Sequence, residues 1–173
     1  MEAMPSISRA QFLRGDFGGE PGPIRPPWSL PEAEFIERCS RCGHCVGVCP
    51  EGVVQIGRGG FPFVDFSRGE CRFCERCVQR CADAALRPGG APWAMRVEVG
   101  KGCLAKLGIS CRSCGDNCAV GALQFRLQPG GRALPVVDEQ SCTGCGACYR
   151  PCPVGAIRLR ATPVQSANTL EGA

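Results

Sequence analysis

Residues 39–50 read CSRCGHCVGVCP, and the spacing inside that stretch decides how the rest of the chain is read. Cys39, Cys42, Cys45 and Cys49 follow the pattern C-x2-C-x2-C-x3-C. Thiols two residues apart can wrap a loop around a compact metal–sulfur core and reach three of its metal atoms. The fourth, three residues on, is expected to start a short helix that points away from that core. A single zinc ion takes its ligands from two separated C-x2-C pairs, which leaves the third closely spaced cysteine without a role. Disulfides between neighbours this dense are strained.

The pattern recurs. Cys71, Cys74, Cys77 and Cys81 repeat it in CRFCERCVQRC, and Cys142, Cys145, Cys148 and Cys152 repeat it in CTGCGACYRPCP. A further group, Cys103, Cys111, Cys114 and Cys118, widens the first gap to seven residues. These four quartets account for all 16 cysteines and organise the chain as an internal repeat. The regular quartets are the run of bacterial ferredoxins, in which the fourth cysteine ligates the other cluster of a pair. Carried over, that rule assigns Cys39, Cys42, Cys45 and Cys81 to one [4Fe–4S] cluster, and Cys71, Cys74, Cys77 and Cys49 to a second. The same rule joins Cys103, Cys111 and Cys114 to Cys152, and Cys142, Cys145 and Cys148 to Cys118. A nested pairing, quartet one with four and two with three, is the alternative. A Rieske centre needs two histidines on one iron, and the chain has one, His44, expected to face solvent.

Thiols in this number need a reducing compartment if they are not disulfides. The start SISRAQFLRG (residues 6–15) looks like an export signal, but GDFGGEPGPIRPPWSL follows it in place of an apolar core. A cytoplasmic protein with no membrane span is expected. The formal charge of +4 suggests nucleic acid, yet four clusters at about −2 each would turn it to about −4. No basic stripe interleaved with aromatics is present, so nucleic acid is not a partner. Arg38, Arg41, Arg72, Arg76, Arg80, Arg112 and Arg150 crowd the cysteines, where cations stabilise a reduced cluster. Arginine outnumbers lysine throughout the chain, so composition accounts for them equally well. No nucleophile, base or substrate pocket can be argued, and the chain is not read as an enzyme.

Short alternating runs follow the quartets: VVQIG and FPFVDF about RGG, ALQFRL and ALPVVD about QPGGR, and a final AIRLR. They predict hairpin strands, two per module, with short helices after Cys49, Cys81, Cys118 and Cys152. Pro50 and Pro153 follow the last cysteine of quartets one and four; Ala82 and Ala119 stand there in two and three. Ser29-Leu30-Pro31-Glu32 reads as a capping box before a helix over EFIER. The wide gap of quartet three costs extra loop-closure entropy, about 0.6 kcal/mol per doubling. With Ala119 in place of proline, this makes the cluster on Cys103, Cys111 and Cys114 the expected weakest.

Beyond the cysteines, SRAQFLRG, IRPPWS (residues 24–29) and VGKGCLAKLGISCRSCGDNC (residues 99–118) resemble the NapF family of ferredoxin-type accessory proteins. The resemblance spans about residues 7 to 160. It implies an α+β fold of two tandem bacterial-ferredoxin-like modules, residues 31–95 and 96–160, holding up to four [4Fe–4S] clusters. A flexible arm (1–30) precedes them and a disordered tail (161–173) follows. It further implies a cytoplasmic helper that binds the precursor of the periplasmic nitrate reductase catalytic subunit and assists its maturation. An ordinary electron carrier and a zinc-dependent binding module are the competing readings.

Overall fold

The computed structural model describes residues 22–161. Its regular elements are short, as 24 glycines and 15 prolines favour. In order they are α1 (Glu32–Arg38), α2 (His44–Gly47), β1 (Val54–Ile56), β2 (Pro62–Val64), α3 (Arg76–Gln79) and β3 (Met95–Val99). There follow α4 (Ser113–Asp116), β4 (Leu123–Leu127), β5 (Ala133–Val137) and β6 (Ile157–Ala161). The strands form three two-stranded antiparallel sheets, β1–β2, β4–β5 and β3–β6.

The two hairpins expected from the alternating runs are present, with Val54 opposite Val64 and Leu123 opposite Val137. The first turns through Gly59 and Gly60, whose φ of +67° and +79° is cheap only without a Cβ. The run AIRLR, unpaired in the sequence reading, is β6, and its partner is β3, a strand that reading lacks. Period two explains the match: Val97, Val99 and Ile157 are buried, while Glu98 and Arg160 pair on the opposite face.

The first half has a vestige of the same outer pairing. Ser29 bridges Leu86, the Leu30 N–H donates to the Ala85 carbonyl at 3.1 Å, and the Arg87 N–H donates to the Trp28 carbonyl at 2.9 Å. In both halves, the chain approaching one quartet pairs with the chain leaving the next. Residues 22–30 were expected in a free arm, and here the structure corrects the reading. The Val64 N–H donates to Ile24 at 2.7 Å, Pro26 and Pro27 are fully buried, and Ile24, Trp28 and Leu30 pack on the core. Prolines bring no N–H, so two of them can be buried with no donor left unpaired. The remainder of the arm, residues 1–21, and residues 162–173 of the tail lie outside the described residues.

Helix α1 forms over the expected segment but without a capping box. Its N-cap is Pro31; the Ser29 hydroxyl donates to Pro26 at 2.7 Å, and Glu32 accepts from Arg25 at 2.7 and 2.9 Å. Phe35 of α1 is completely buried and anchors a core with Val53, Val54, Val64, Phe66, Val78 and Leu86. A second core holds Val97, Val99, Leu123, Ala156 and Ile157.

The halves dock closely. Met95, the first residue of β3, belongs to the first core, and Leu159 of β6 packs against it. The Trp93 indole donates to the Thr143 carbonyl at 3.0 Å, and the Cys71 N–H donates to Cys145 at 2.8 Å. Gly146 lies under Phe66, where a Cβ would come within 2.0 Å of the ring.

Candidate metal–sulfur centres

Quartets one and two share one backbone path. A left-handed residue after the second cysteine (Gly43 at φ +74°, Glu75 at φ +58°) breaks the chain, and a single helical turn follows. Quartet three reaches its helical turn from Arg112 at φ −133° instead. That turn carries the third cysteine: Cys45 in α2, Cys77 in α3, Cys114 in α4. The helices expected after the fourth cysteine therefore sit one step earlier, and quartet four has a turn in place of a helix. Each fourth cysteine donates its N–H three residues back: Cys49 to Val46, Cys81 to Val78, Cys118 to Gly115 and Cys152 to Tyr149, at 3.0–3.3 Å. A β-turn follows, closed by Gly52, Ala84, Gly121 and Gly155 onto the fourth cysteine's carbonyl at 2.9–3.3 Å. Pro50 occupies the second position of such a turn, which suits proline but does not require it. Ala82 and Ala119 make the same turn, so the proline is not a helix starter here.

Each set of four thiols surrounds one hollow. Cys39, Cys42, Cys45 and Cys81 line the first; Cys71, Cys74, Cys77 and Cys49 line the second. Cys103, Cys111, Cys114 and Cys152 line a third, and Cys142, Cys145, Cys148 and Cys118 a fourth. The structure thus gathers adjacent quartets, not nested ones. The hollows span 310–370 Å³, counting the part open to solvent. Among the described residues, no three Cys, His, Asp or Glu side chains converge on a point that could hold a single metal ion. Thiols spaced around a hollow suit a polynuclear core and not zinc. His44 is exposed at the start of α2 and lines none of the four.

Burial sets the thiol chemistry. It pushes Cys71 and Cys148 up to about 12 and Cys45, Cys77 and Cys114 up to about 11. Neighbouring thiols add to the rise: Cys39 acts on Cys45, and Cys103 on Cys114. These groups hold their protons at neutral pH until iron displaces them, so loading releases protons.

The hollows differ in their walls. Around Cys103 the lining carries no charge and is apolar but for Ser113: Val99, Leu104, Phe125, Val154, Ala156 and Ile157. The wide gap of quartet three is not slack. Leu107 and Ile109 donate N–H groups to Cys103 and Leu104 at 3.1 and 2.9 Å, and the Lys106 ammonium donates to Val99 at 2.6 Å. Cys103 and Ala105 are buried. Around Cys49 the lining is charged, with Glu51, Glu70, Arg72, Glu75 and Arg76 joined by Pro27, Trp28 and Phe73. Of the seven arginines near cysteines, Arg41, Arg72, Arg76 and Arg80 reach a hollow. Two are already engaged, Arg72 by Glu51 at 2.6 Å and Arg41 over the Phe61 ring at 4.6 Å. The sequence reading offered no role for Val99 or Ile157 and placed Trp28 on an arm; one of only two tryptophans, beside two prolines, was the available signal.

The donor set, thiols alone in groups of four, is that of a ferredoxin-type iron–sulfur protein. The 4Fe-4S dicluster domain family matches residues 31–86, and the 4Fe-4S binding domain family matches residues 135–158. The chain carries multiple [4Fe–4S] clusters. It is 39% identical over 151 residues to the ferredoxin-type protein NapF of Escherichia coli K12, covering 87% of this chain and 92% of that protein. To NapF of Haemophilus influenzae it is 42% identical over 166 residues, covering 89% and 94%. To the methylamine utilization ferredoxin-type protein MauM of Paracoccus denitrificans it is 33% identical over 159 residues, covering 81% and 71%. The chain belongs to the NapF family of ferredoxin-type proteins.

Proposed function

We propose that this chain is a tandem pair of two-cluster modules that serves, in the cytoplasm, as a maturation factor for a periplasmic nitrate reductase. Each hollow holds one [4Fe–4S] cluster, with Cys39, Cys42, Cys45 and Cys81 as one ligand set and Cys49, Cys71, Cys74 and Cys77 as the next. Cys103, Cys111, Cys114 and Cys152 hold the third cluster, and Cys118, Cys142, Cys145 and Cys148 the fourth. The thiols orient and insulate these clusters, which supply one-electron chemistry. The partner is the catalytic subunit before export. Identity of 39–42% over 92–94% of the NapF relatives carries this reading. MauM relatives match at 31–33% over 71–81% of their length, which makes a methylamine system the poorer fit.

An anaerobic pull-down from cytoplasm tests it. Recovery of the unexported catalytic subunit with its signal attached supports the proposal; recovery of mature redox partners alone favours an ordinary electron carrier. That second reading has one structural observation in its favour, the Cys71–Cys145 contact, which sets cysteine loops of the two halves side by side. Deleting residues 1–21 should weaken capture while leaving iron content unchanged. A deletion reaching residue 28 confounds the result, because Pro26, Pro27 and Trp28 are part of the fold.

A further inference from the structure

We propose that Trp28 is a positioning residue for the Cys49, Cys71, Cys74 and Cys77 centre, sealing that hollow against solvent. The inference rests on the reading of each hollow as a cluster site. Three observations converge on it.

The first is the contrast between the walls. Aliphatic and aromatic side chains close the Cys103 hollow, whereas five charged side chains ring the Cys49 hollow. Cys74 is itself exposed. Charged side chains stay hydrated and cannot exclude water from a metal–sulfur core. The apolar part of this wall is Pro27, Trp28, Pro50, Val53, Val54 and Phe73, and its aromatic rings are those of Trp28 and Phe73.

The second is how firmly Trp28 is held. Its N–H donates to Pro92 at 2.6 Å and its carbonyl accepts from Arg87 at 2.9 Å, so both peptide groups are pinned. Its ring meets Phe73 edge-on at 6.3 Å, and Phe73 lies between Cys71 and Cys74. Phe73 in turn meets Trp93 at 5.5 Å. The cover is thus wedged in a row of aromatic rings, not laid over the site loosely.

The third is strain. Trp28 is the third residue of a turn in which Ser29 donates to Pro26 at 3.3 Å, and its φ is +60°. A proline at the second position with left-handed backbone at the third ordinarily calls for glycine there. A bulky side chain in that conformation persists where its surroundings over-determine it. Glycine would relax the backbone and leave the hollow open.

The test uses the full chain, loaded with iron and sulfide under anaerobic conditions. Trp28→Ala, Trp28→Phe and the parent are compared for iron and sulfide content, then challenged with a ferrous chelator and titrated for reduction potentials. Trp28→Ala should load fully and then lose about one quarter of its visible absorbance roughly tenfold faster than the parent. One potential should move upward, because admitted water favours the more negative reduced state. Trp28→Phe should restore most of both properties, and Cys74→Ser added to Trp28→Ala should abolish the fast phase. Accelerated loss spread evenly over all sites would mean general loosening and would overturn the proposal. So would a Trp28→Ala protein with sulfide present, parental decay and unchanged potentials. A parent without acid-labile sulfide would overturn the cluster reading itself.

Discussion

The two halves close their outer edges with unequal means. In the second, β3 and β6 share five residue pairs, Met95–Val99 against Ile157–Ala161. In the first, the corresponding segment carries Pro26 and Pro27 and makes a single bridge, Ser29 to Leu86. What the ladder lacks is made up by side chains: buried Phe35 on α1 and the Arg25 guanidinium over both Phe35 and Phe61, at 5.0 and 5.4 Å. The cysteines follow suit. The third cysteine is buried in all four quartets, but the second is exposed in the first half (Cys42, Cys74) and half-buried in the second (Cys111, Cys145). The first is half-buried in the first half (Cys39, Cys71) and buried in the second (Cys103, Cys142). The turn at the fourth cysteine repeats in all four quartets because it is closed by backbone within the loop itself. The shielding around them does not repeat, because it depends on whichever segments the flanking chain supplies.

The largest effect that could break this comparison is loss of a ligand. Cys103→Ser should remove about one quarter of the iron, of roughly sixteen per chain when all four sites are filled. It should also lower the second half's melting temperature more than Cys39→Ser lowers that of the first, since Cys103 is 7% exposed inside a core and Cys39 is only partly buried. Iron and sulfide assays with calorimetry decide it. Equal thermal losses would mean that burial in the second half contributes nothing beyond ligation.

Next comes the seam between halves. Gly146→Ala forces a Cβ to 2.0 Å from the Phe66 ring on a backbone at φ +84°. Overpacking and left-handed strain together should cost about 3 kcal/mol. Gly102→Ala, with open space around it and no positive φ, is the control. Two separated calorimetric transitions in Gly146→Ala would show that the halves fold independently; one lowered transition would show that the seam joins them.

How much of this was legible in the sequence follows from which residues set each feature. The grouping of the cysteines was in the three regular quartets, because spacing of two and three residues leaves the loop few paths. The wide gap of quartet three and the choice between adjacent and nested pairing were not set by spacing. Both hairpins were, because RGG and PGG sit between alternating runs. Strand β3 was not: MRVEV alternates, but nothing local identifies a partner beginning at residue 157. The Ile24–Leu30 strap was read as an arm because two adjacent prolines erase strand periodicity, and only tertiary packing reveals them as buried. The helix positions shifted by one step because the proline after the fourth cysteine serves a β-turn as well as it serves a helix start.

The expected weakness of the Cys103 centre rested on loop length and on Ala119 in place of proline, and the ordered gap and the turn that Ala119 shares with the other quartets argue against both. Hydrogen bonds within residues 103–109 order the gap, and a largely apolar wall lines the hollow. On a chelator challenge, the first half should bleach before the second, with rates differing about tenfold. Absorbance decay in Cys103→Ser and Cys39→Ser backgrounds would assign the phases. A fast phase that disappears in Cys103→Ser would restore the entropy argument over the burial one.

The smallest expected effect probes how far the repeat is enforced by backbone conformation. The residue three beyond each fourth cysteine is left-handed: Gly52, Gly121 and Gly155 at φ +61°, +63° and +58°, and Ala84 at φ +51°. Three of the four turns use the residue that bears no cost there; the second quartet's turn carries a Cβ. Ala84→Gly removes a strain of about 1 kcal/mol but raises the entropy of the unfolded chain by somewhat less. The net gain should be a few tenths of a kcal/mol, read as a small rise in the apo chain's denaturation midpoint. The reverse change, Gly121→Ala, should lower it by about 1 kcal/mol, since no contact near that position compensates for the strain. If Ala84→Gly is destabilising instead, the methyl must contribute contacts that outweigh its backbone strain, and the first half would again be relying on side chains where the second relies on backbone.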